Sequence, residues 1–209
     1  MTARGQGRFV VLEGPEGTGK SSVAARLAER LRLAGIASVT VREPGGTPVA
    51  EAARRALLED HPASPVAELF LFLAARADVV ASVIRPALAE GKLVLADRYE
   101  LSTEAYQAVG RGLDAGFVHA ANAAATGGLK PDLTLVFDLP DGVGRQRQLA
   151  AGKTGDRLDR EAEEFHRRVA AFYRAVQGPG VVHLDASLPL DAVVEAAWGA
   201  IESGVRRET

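Results

Sequence analysis

The run Gly14-Pro-Glu-Gly-Thr-Gly-Lys-Ser21 meets every fixed position of G-x-x-x-x-G-K-[ST], a loop that closes around a phosphate chain. It constrains the fold because the loop works only between a strand and a helix. Arg8 to Glu13 supplies an apolar strand before it, and Val23, Leu27 and Leu31 place one apolar face on a helix after it. Backbone N–H groups of Gly14, Glu16, Gly17, Thr18 and Gly19 (Pro15, within the loop, has none), with the positive end of the helix dipole, then converge on phosphate oxygens. Lys20 adds a point charge at the β- and γ-phosphates, and the Ser21 hydroxyl is a ligand for Mg2+. Such a chain binds a nucleoside triphosphate.

The remaining strands follow the same logic. Ser38–Arg42, Leu93–Asp97, Leu133–Asp138 and Val181–Asp185 are short and apolar, and helical patterns separate them. The expected helices include Pro48 to Leu58, a long one from Pro65 to about Gly91 with Pro86 late in it, Glu161 to Val176, and Leu190 to Ile201. Continuous apolar strands between helices predict an α/β fold of the phosphate-loop NTPase type. It has a five-stranded parallel sheet covered on both faces, and ligands at the carboxyl ends of the strands. The segment Leu69–Leu73 is apolar nearly all round, which predicts burial on more than one side.

Composition narrows the function. At 209 residues and 47% hydrophobic, the chain fills one core, so residues 1–209 are expected to be a single domain. A net charge of −2 gives no basic footprint for nucleic acid, and the apolar run Leu69 to Ala75 is too short to span a membrane. The absence of cysteine removes thiolate chemistry and suits a reducing cytoplasm. His61, His119, His166 and His183 do not fall at metal-ligand spacing.

Asp97 ends an apolar strand, where phosphate-loop proteins hold Mg2+. The next residue, Arg98, points to a clamp on a second phosphate rather than to activation of water. On the acceptor side, Phe72 and Arg76 share a helix face, able to stack on a flat heterocycle and donate to its carbonyl. Thr103 and Gln107 repeat that spacing with a hydroxyl and an amide, and Arg54 stands one helix after the Glu43 loop. Each alone also fits core packing or a solvated helix face.

Together these segments resemble the bacterial thymidylate kinases. The phosphate loop, Arg42-Glu-Pro-Gly-Gly-Thr47, Ala74-Ala-Arg76, Asp97-Arg-Tyr99, Ser102-Thr-Glu-Ala-Tyr-Gln107, Gly110-Arg-Gly112 and Pro131-Asp-Leu-Thr134 occur in that family's order and spacing. The resemblance runs from about Phe9 to the last helix. It implies transfer of the γ-phosphoryl group of ATP to dTMP by a homodimeric Mg2+ enzyme. By the same resemblance Phe72 stacks on thymine, Arg76 donates to its carbonyl, and Thr103 and Gln107 read its polar edge. Tyr106 crowds the 2′ position, Glu16 meets the 3′ hydroxyl, Arg54 and Arg98 hold the dTMP phosphate, and Glu43 and Asp97 organise Mg2+. The helix carrying Leu69–Leu73 supplies part of the dimer contact.

Phosphoryl transfer between two anions needs alignment and neutralisation more than base catalysis. Residues 144–160 are the expected mobile lid, with Arg145, Arg147, Lys153, Arg157 and Arg160 among glycines at 152 and 155. One subgroup of the family carries a catalytic arginine in the phosphate loop, where this chain has Gly17. The lid should therefore supply the cation. Arg147 matches the residue that stacks on adenine, leaving Lys153 or Arg157 for the transition state. A deoxynucleoside kinase would share the fold but leave the Arg54/Arg98 clamp unexplained. A nucleotide-dependent switch protein would hydrolyse ATP slowly whatever acceptor was added.

Overall fold

The structure, a computed structural model, describes residues 7–58, 64–150, 152, 157–158 and 160–206. Five strands form one sheet: β1 (Arg8–Glu13), β2 (Ser38–Arg42), β3 (Leu93–Asp97), β4 (Leu133–Asp138) and β5 (Val181–Asp185). The order is β2-β3-β1-β4-β5, and every pairing is parallel. β1 lies at the centre, and its alternate residues enter different cores. Val10 and Leu12 pack with α1 (Lys20–Leu33) and α9 (Leu190–Arg206). Phe9 and Val11 pack with α2 (Pro48–Leu58) and α3 (Pro65–Val79). A strand flanked on both faces must be apolar throughout, and Phe9 to Leu12 are.

Two helices depart from the expected regular form. The helix begun at Pro65 is capped by Ser64 Oγ, which accepts from the Ala67 N–H at 3.3 Å. It widens to a π turn over Val80–Ile84 before α4 (Arg85–Ala89). Pro86 lies two residues past that turn; lacking an N–H and crowding the preceding carbonyls, it fits a locally widened helix better than a straight one. The second widening covers Glu104–Gly110, after the short α5 (Glu100–Thr103). Then come α6 (Ala115–Thr126), α7 (Val143–Ala150) and α8 (Glu163–Ala175).

The expectation for Leu69–Leu73 needs one correction. Leu69 and Leu73 are buried, but Phe70 is 53% exposed and stacks edge-on against exposed Phe117 of α6 at 6.3 Å. Its outer side therefore faces solvent in the single chain. No helix among the described residues is long and apolar enough to cross a membrane.

Candidate active site

The loops after β1, β2 and β3 open onto a cleft of about 690 Å3, which Gln148, Gly152 and Leu158 also line. Glycine is required in the phosphate loop: Gly14, Gly17 and Gly19 all have positive φ, and Gly19 caps α1 at φ 87. Lys20 curls back, its Nζ donating to the carbonyls of Gly14 (2.8 Å) and Pro15 (2.6 Å) and to Thr18 Oγ1 (3.1 Å). Burial, with Arg98 nearby, pushes the ammonium down to about 7.

Gly17 is locked from above. A Cβ built there would lie 2.5 Å from Gly144 Cα in α7 and closer still to the Gly144 carbonyl oxygen. The space from which an arginine would start at this position is filled by the lid helix, which accounts physically for the glycine.

Ser21 Oγ donates to Asp97 Oδ2 at 2.5 Å, so the hydroxyl and carboxylate expected at Mg2+ are side by side. Glu43 also lines the cleft, its Oε2 accepting from Arg76 Nε at 2.7 Å. Its buried Oε1 has no hydrogen-bond partner among the described residues. Burial pushes this carboxyl up to about 6 against the pull of Arg76. An orphaned acidic oxygen beside a Ser–Asp pair suits a cation that keeps most of its water shell. Among the described residues no three His, Cys, Asp or Glu side chains gather as a metal cage. Mg2+ in phosphoryl-transfer sites needs none, since substrate phosphates and water complete its octahedron.

Arg98 is the one described non-glycine residue with positive φ (78°). That backbone strain turns its side chain towards the phosphate loop. NH1 donates to the Gly14 carbonyl (3.2 Å) and Ser102 Oγ (3.1 Å), and NH2 to Glu16 Oε1 (3.3 Å). Tyr106 OH donates to the same Glu16 oxygen. The strained turn is held from below by Glu13, a buried acid at the end of β1. Its oxygens accept from Tyr99 N (2.8 Å), Ser102 N (3.2 Å), Ser102 Oγ (2.8 Å) and Tyr173 OH (2.9 Å). Burial raises the Glu13 carboxyl even against Arg98 and these hydrogen bonds. Sequence reading took Glu13 only as the last residue of a strand; an acid ending an otherwise apolar buried run was the available signal.

Across the cleft, Phe72, Thr103, Tyr106, Gln107 and Arg54 all line the wall, and Arg54 NH1 donates to the Pro44 carbonyl at 2.9 Å. Arg76 stands one layer behind them, 1% exposed. It donates to Glu43, to Thr103 Oγ1 (2.8 Å), to Asn122 Oδ1 (2.6 Å) and to the Tyr99 carbonyl (2.8 Å). Four of its five N–H groups are thus spent on the protein. Asn122 reaches this cluster from α6, and no local pattern marks it in the sequence.

A second cavity of about 530 Å3 lies on the other side of the loop, lined by Thr18, Arg147 and residues 186–190. Arg147 is anchored over it by donation to the Ala186 carbonyl at 2.8 Å. The lid cation is placed differently. Arg157 donates to the Leu57 carbonyl at 3.1 Å and pairs with Glu68, away from the phosphate loop. A buried carboxylate captures it, so in this conformation Arg157 is not at the transferring phosphate. Lys153, the other candidate, lies outside the described residues, as do Gly155 and His61.

Comparison with known proteins bears on this arrangement. The thymidylate kinase family model matches residues 12–197. The chain is 46% identical over 202 residues to the thymidylate kinase of Thermomicrobium roseum, covering 95% of this chain and 96% of that one. It is 49% identical over 195 residues to that of Pseudomonas fluorescens strain Pf0-1, with 91% and 92% covered. Against that of Deinococcus radiodurans the identity is 43% over 202 residues, with 94% and 97% covered.

Proposed function

The chain belongs to the thymidylate kinase family, and from that premise we propose how its residues transfer the γ-phosphoryl group of ATP to dTMP, giving ADP and the dTDP needed for dTTP. The observation that carries the residue-level reading is Arg98, turned by a strained backbone to face the loop that holds the donor phosphates. A fixed cation there suits an acceptor that is itself a phosphate.

ATP lies with its base in the cavity beneath Arg147 and its phosphates in the loop at Lys20. The acceptor's flat ring rests on Phe72, between Thr103 and Gln107. The last uncommitted N–H of Arg76 serves a ring carbonyl. Tyr106 crowds the 2′ position, and Glu16 accepts from the 3′ hydroxyl. Arg54 and Arg98 hold the acceptor phosphate in line with the γ-phosphorus. One of its oxygens forms the new P–O bond as the bond to the ADP oxygen breaks. Ser21 and Asp97, with Glu43 in the same cleft, would hold Mg2+, which would supply charge neutralisation at the donor phosphates. Residues 144–160 act as the lid, with Lys153 or Arg157 as its cation. For Arg157 to serve, it must leave Glu68.

We also read the chain as a homodimer, with α3 and α6 meeting a second copy through Val66, Phe70 and Phe117, all exposed in the single chain. The lack of cysteine supports a cytoplasmic location.

Binding of dTMP to Arg98→Ala and Arg54→Ala tests the clamp. Charge-assisted hydrogen bonds to phosphate are worth about 1.5–3 kcal/mol, so KM for dTMP rises about 10- to 100-fold in each, with KM for ATP within about twofold. Unchanged KM for dTMP in both variants rejects the clamp.

A further inference from the structure

Glu68 lies one turn before Phe72 on α3, so Glu68, Phe72 and Arg76 form one stripe at fourfold spacing. It is 0% exposed. Gln107 Nε2 (2.9 Å) and Arg111 Nε (3.1 Å) donate to Oε1, and Arg111 NH2 (3.0 Å) and Arg157 NH2 donate to Oε2. Two donors on each oxygen fill the acceptor capacity of a carboxylate. Arg111 is fixed in turn by Glu161 at 2.6 Å. Hydrogen bonds from Arg111, Arg157 and Gln107 keep the carboxyl below its ordinary range although burial works against its charge.

An ionised carboxylate only accepts, so the atom Gln107 turns to Glu68 must be its NH2. The amide is planar, and its oxygen is left for the cleft that Gln107 lines; among the described residues nothing donates to it. We propose that Glu68 is a positioning residue that sets the orientation of the Gln107 amide, so that the base pocket presents an acceptor to the ring N–H of an imide pyrimidine and rejects a cytosine ring. A cytosine ring bears a lone pair at that nitrogen and would face the amide oxygen with no proton between them. The proposal rests on the reading of this cleft as the site of the acceptor base.

Glu68→Gln turns the pair around. Arg111 NH2 and Arg157 take the single oxygen of the new amide, whose NH2 then faces Gln107 and leaves Arg111 Nε without its acceptor. Gln107 answers with its own oxygen and shows its NH2 to the cleft. The ratio of kcat/KM for dTMP over dCMP falls about 10- to 100-fold, because a buried donor or acceptor is left unpaired with the imide. The exchange Glu68→Gln with Gln107→Glu keeps the charge and restores an acceptor at position 107, so the ratio recovers by at least about tenfold over the single variant. A merely structural role for Glu68 would lower activity on both nucleotides together and would not recover in the exchange.

If Glu68→Gln folds and keeps the wild-type ratio, the proposal is wrong; if it does not fold, loss of the ratio in the folded exchange variant overturns it. A third readout uses only the wild type. In 15N spectra the Gln107 side-chain amide stays hydrogen-bonded before and after dTMP is added, and an amide that turns over on binding also overturns it. Failure of the underlying site reading looks different, since the wild type itself would then show no preference for dTMP.

Discussion

Gly17 and Gly144 meet where α7 crosses the phosphate loop, and one methyl group on either tests how tightly the two are packed. At Gly17, φ is +72°, and an added Cβ would lie 2.5 Å from the Gly144 Cα, about 1 Å inside ordinary contact. Alanine there costs about 1 kcal/mol for the left-handed backbone and about 1–3 kcal/mol for overlap with backbone that has no rotamer to yield. The sum, about 2–4 kcal/mol, lowers Tm by roughly 5–15 °C in a chain of this size. Gly144→Ala is the sharper case, because it carries no positive φ. In an open helix, alanine would stabilise by about 1 kcal/mol. Here its methyl would fall on the Glu16 carbonyl, so we expect net destabilisation. Gly112→Ala is the backbone-only control: φ is +75° and a Cβ there meets nothing within 4 Å. Thermal unfolding of the three single variants and the Gly17/Gly144 double decides it. The double should cost less than the sum, since both methyls force the same gap. A raised Tm for Gly144→Ala, or strict additivity, refutes the contact.

Other predictions follow from the charges. Lys20 sits near 7 without nucleotide, and ATP restores its charge, so at pH 8 ATP binding takes up about 0.9 proton. Calorimetry in buffers of differing ionisation enthalpy measures this, and no uptake contradicts it. Glu43 has its carboxyl raised from 4.5 to about 6, so the stability it adds is present below 4.5 and lost as pH rises through about 6. Relative to Glu43→Gln, the wild type loses about 2 kcal/mol between pH 4 and pH 7 in denaturant unfolding, and a flat difference would be inconsistent with that. Phe70→Asp puts a charge on the exposed α3–α6 patch and should break the proposed dimer, read by sedimentation against the wild type; an unchanged sedimentation coefficient removes α3 from the proposed interface. Lys153→Ala and Arg157→Ala are compared for kcat, and near-normal turnover in both removes the lid cation.

What could be seen in the sequence depended on distance along the chain. All five strands were legible to the residue: β1, β3 and β4 are short buried apolar runs, and the edge strands β2 and β5 keep valine pairs between turn signals. The phosphate loop was legible for the same local reason. The π turns were not: Val80–Ile84 and Glu104–Gly110 keep a helical pattern, and one extra residue in a turn leaves no compositional mark. Nor were the carboxylates beneath the site. Glu68 was hidden as one polar residue in an apolar helix, and its partners Gln107, Arg111 and Arg157 are brought to it only by the fold. Arg157 has in the fold a partner, Glu68, that no local pattern announced. A basic lid residue suggests a phosphate, but the nearest buried carboxylate decides where it rests.

The central claim is that this cleft passes a phosphoryl group to the phosphate of dTMP, and ADP release from ATP and Mg2+ with different acceptors tests it most directly. We expect strong stimulation by dTMP, weaker stimulation by dUMP and none by thymidine, AMP or GMP. Stimulation by thymidine but not dTMP would contradict the phosphate clamp. A slow rate indifferent to every acceptor would contradict the transfer itself.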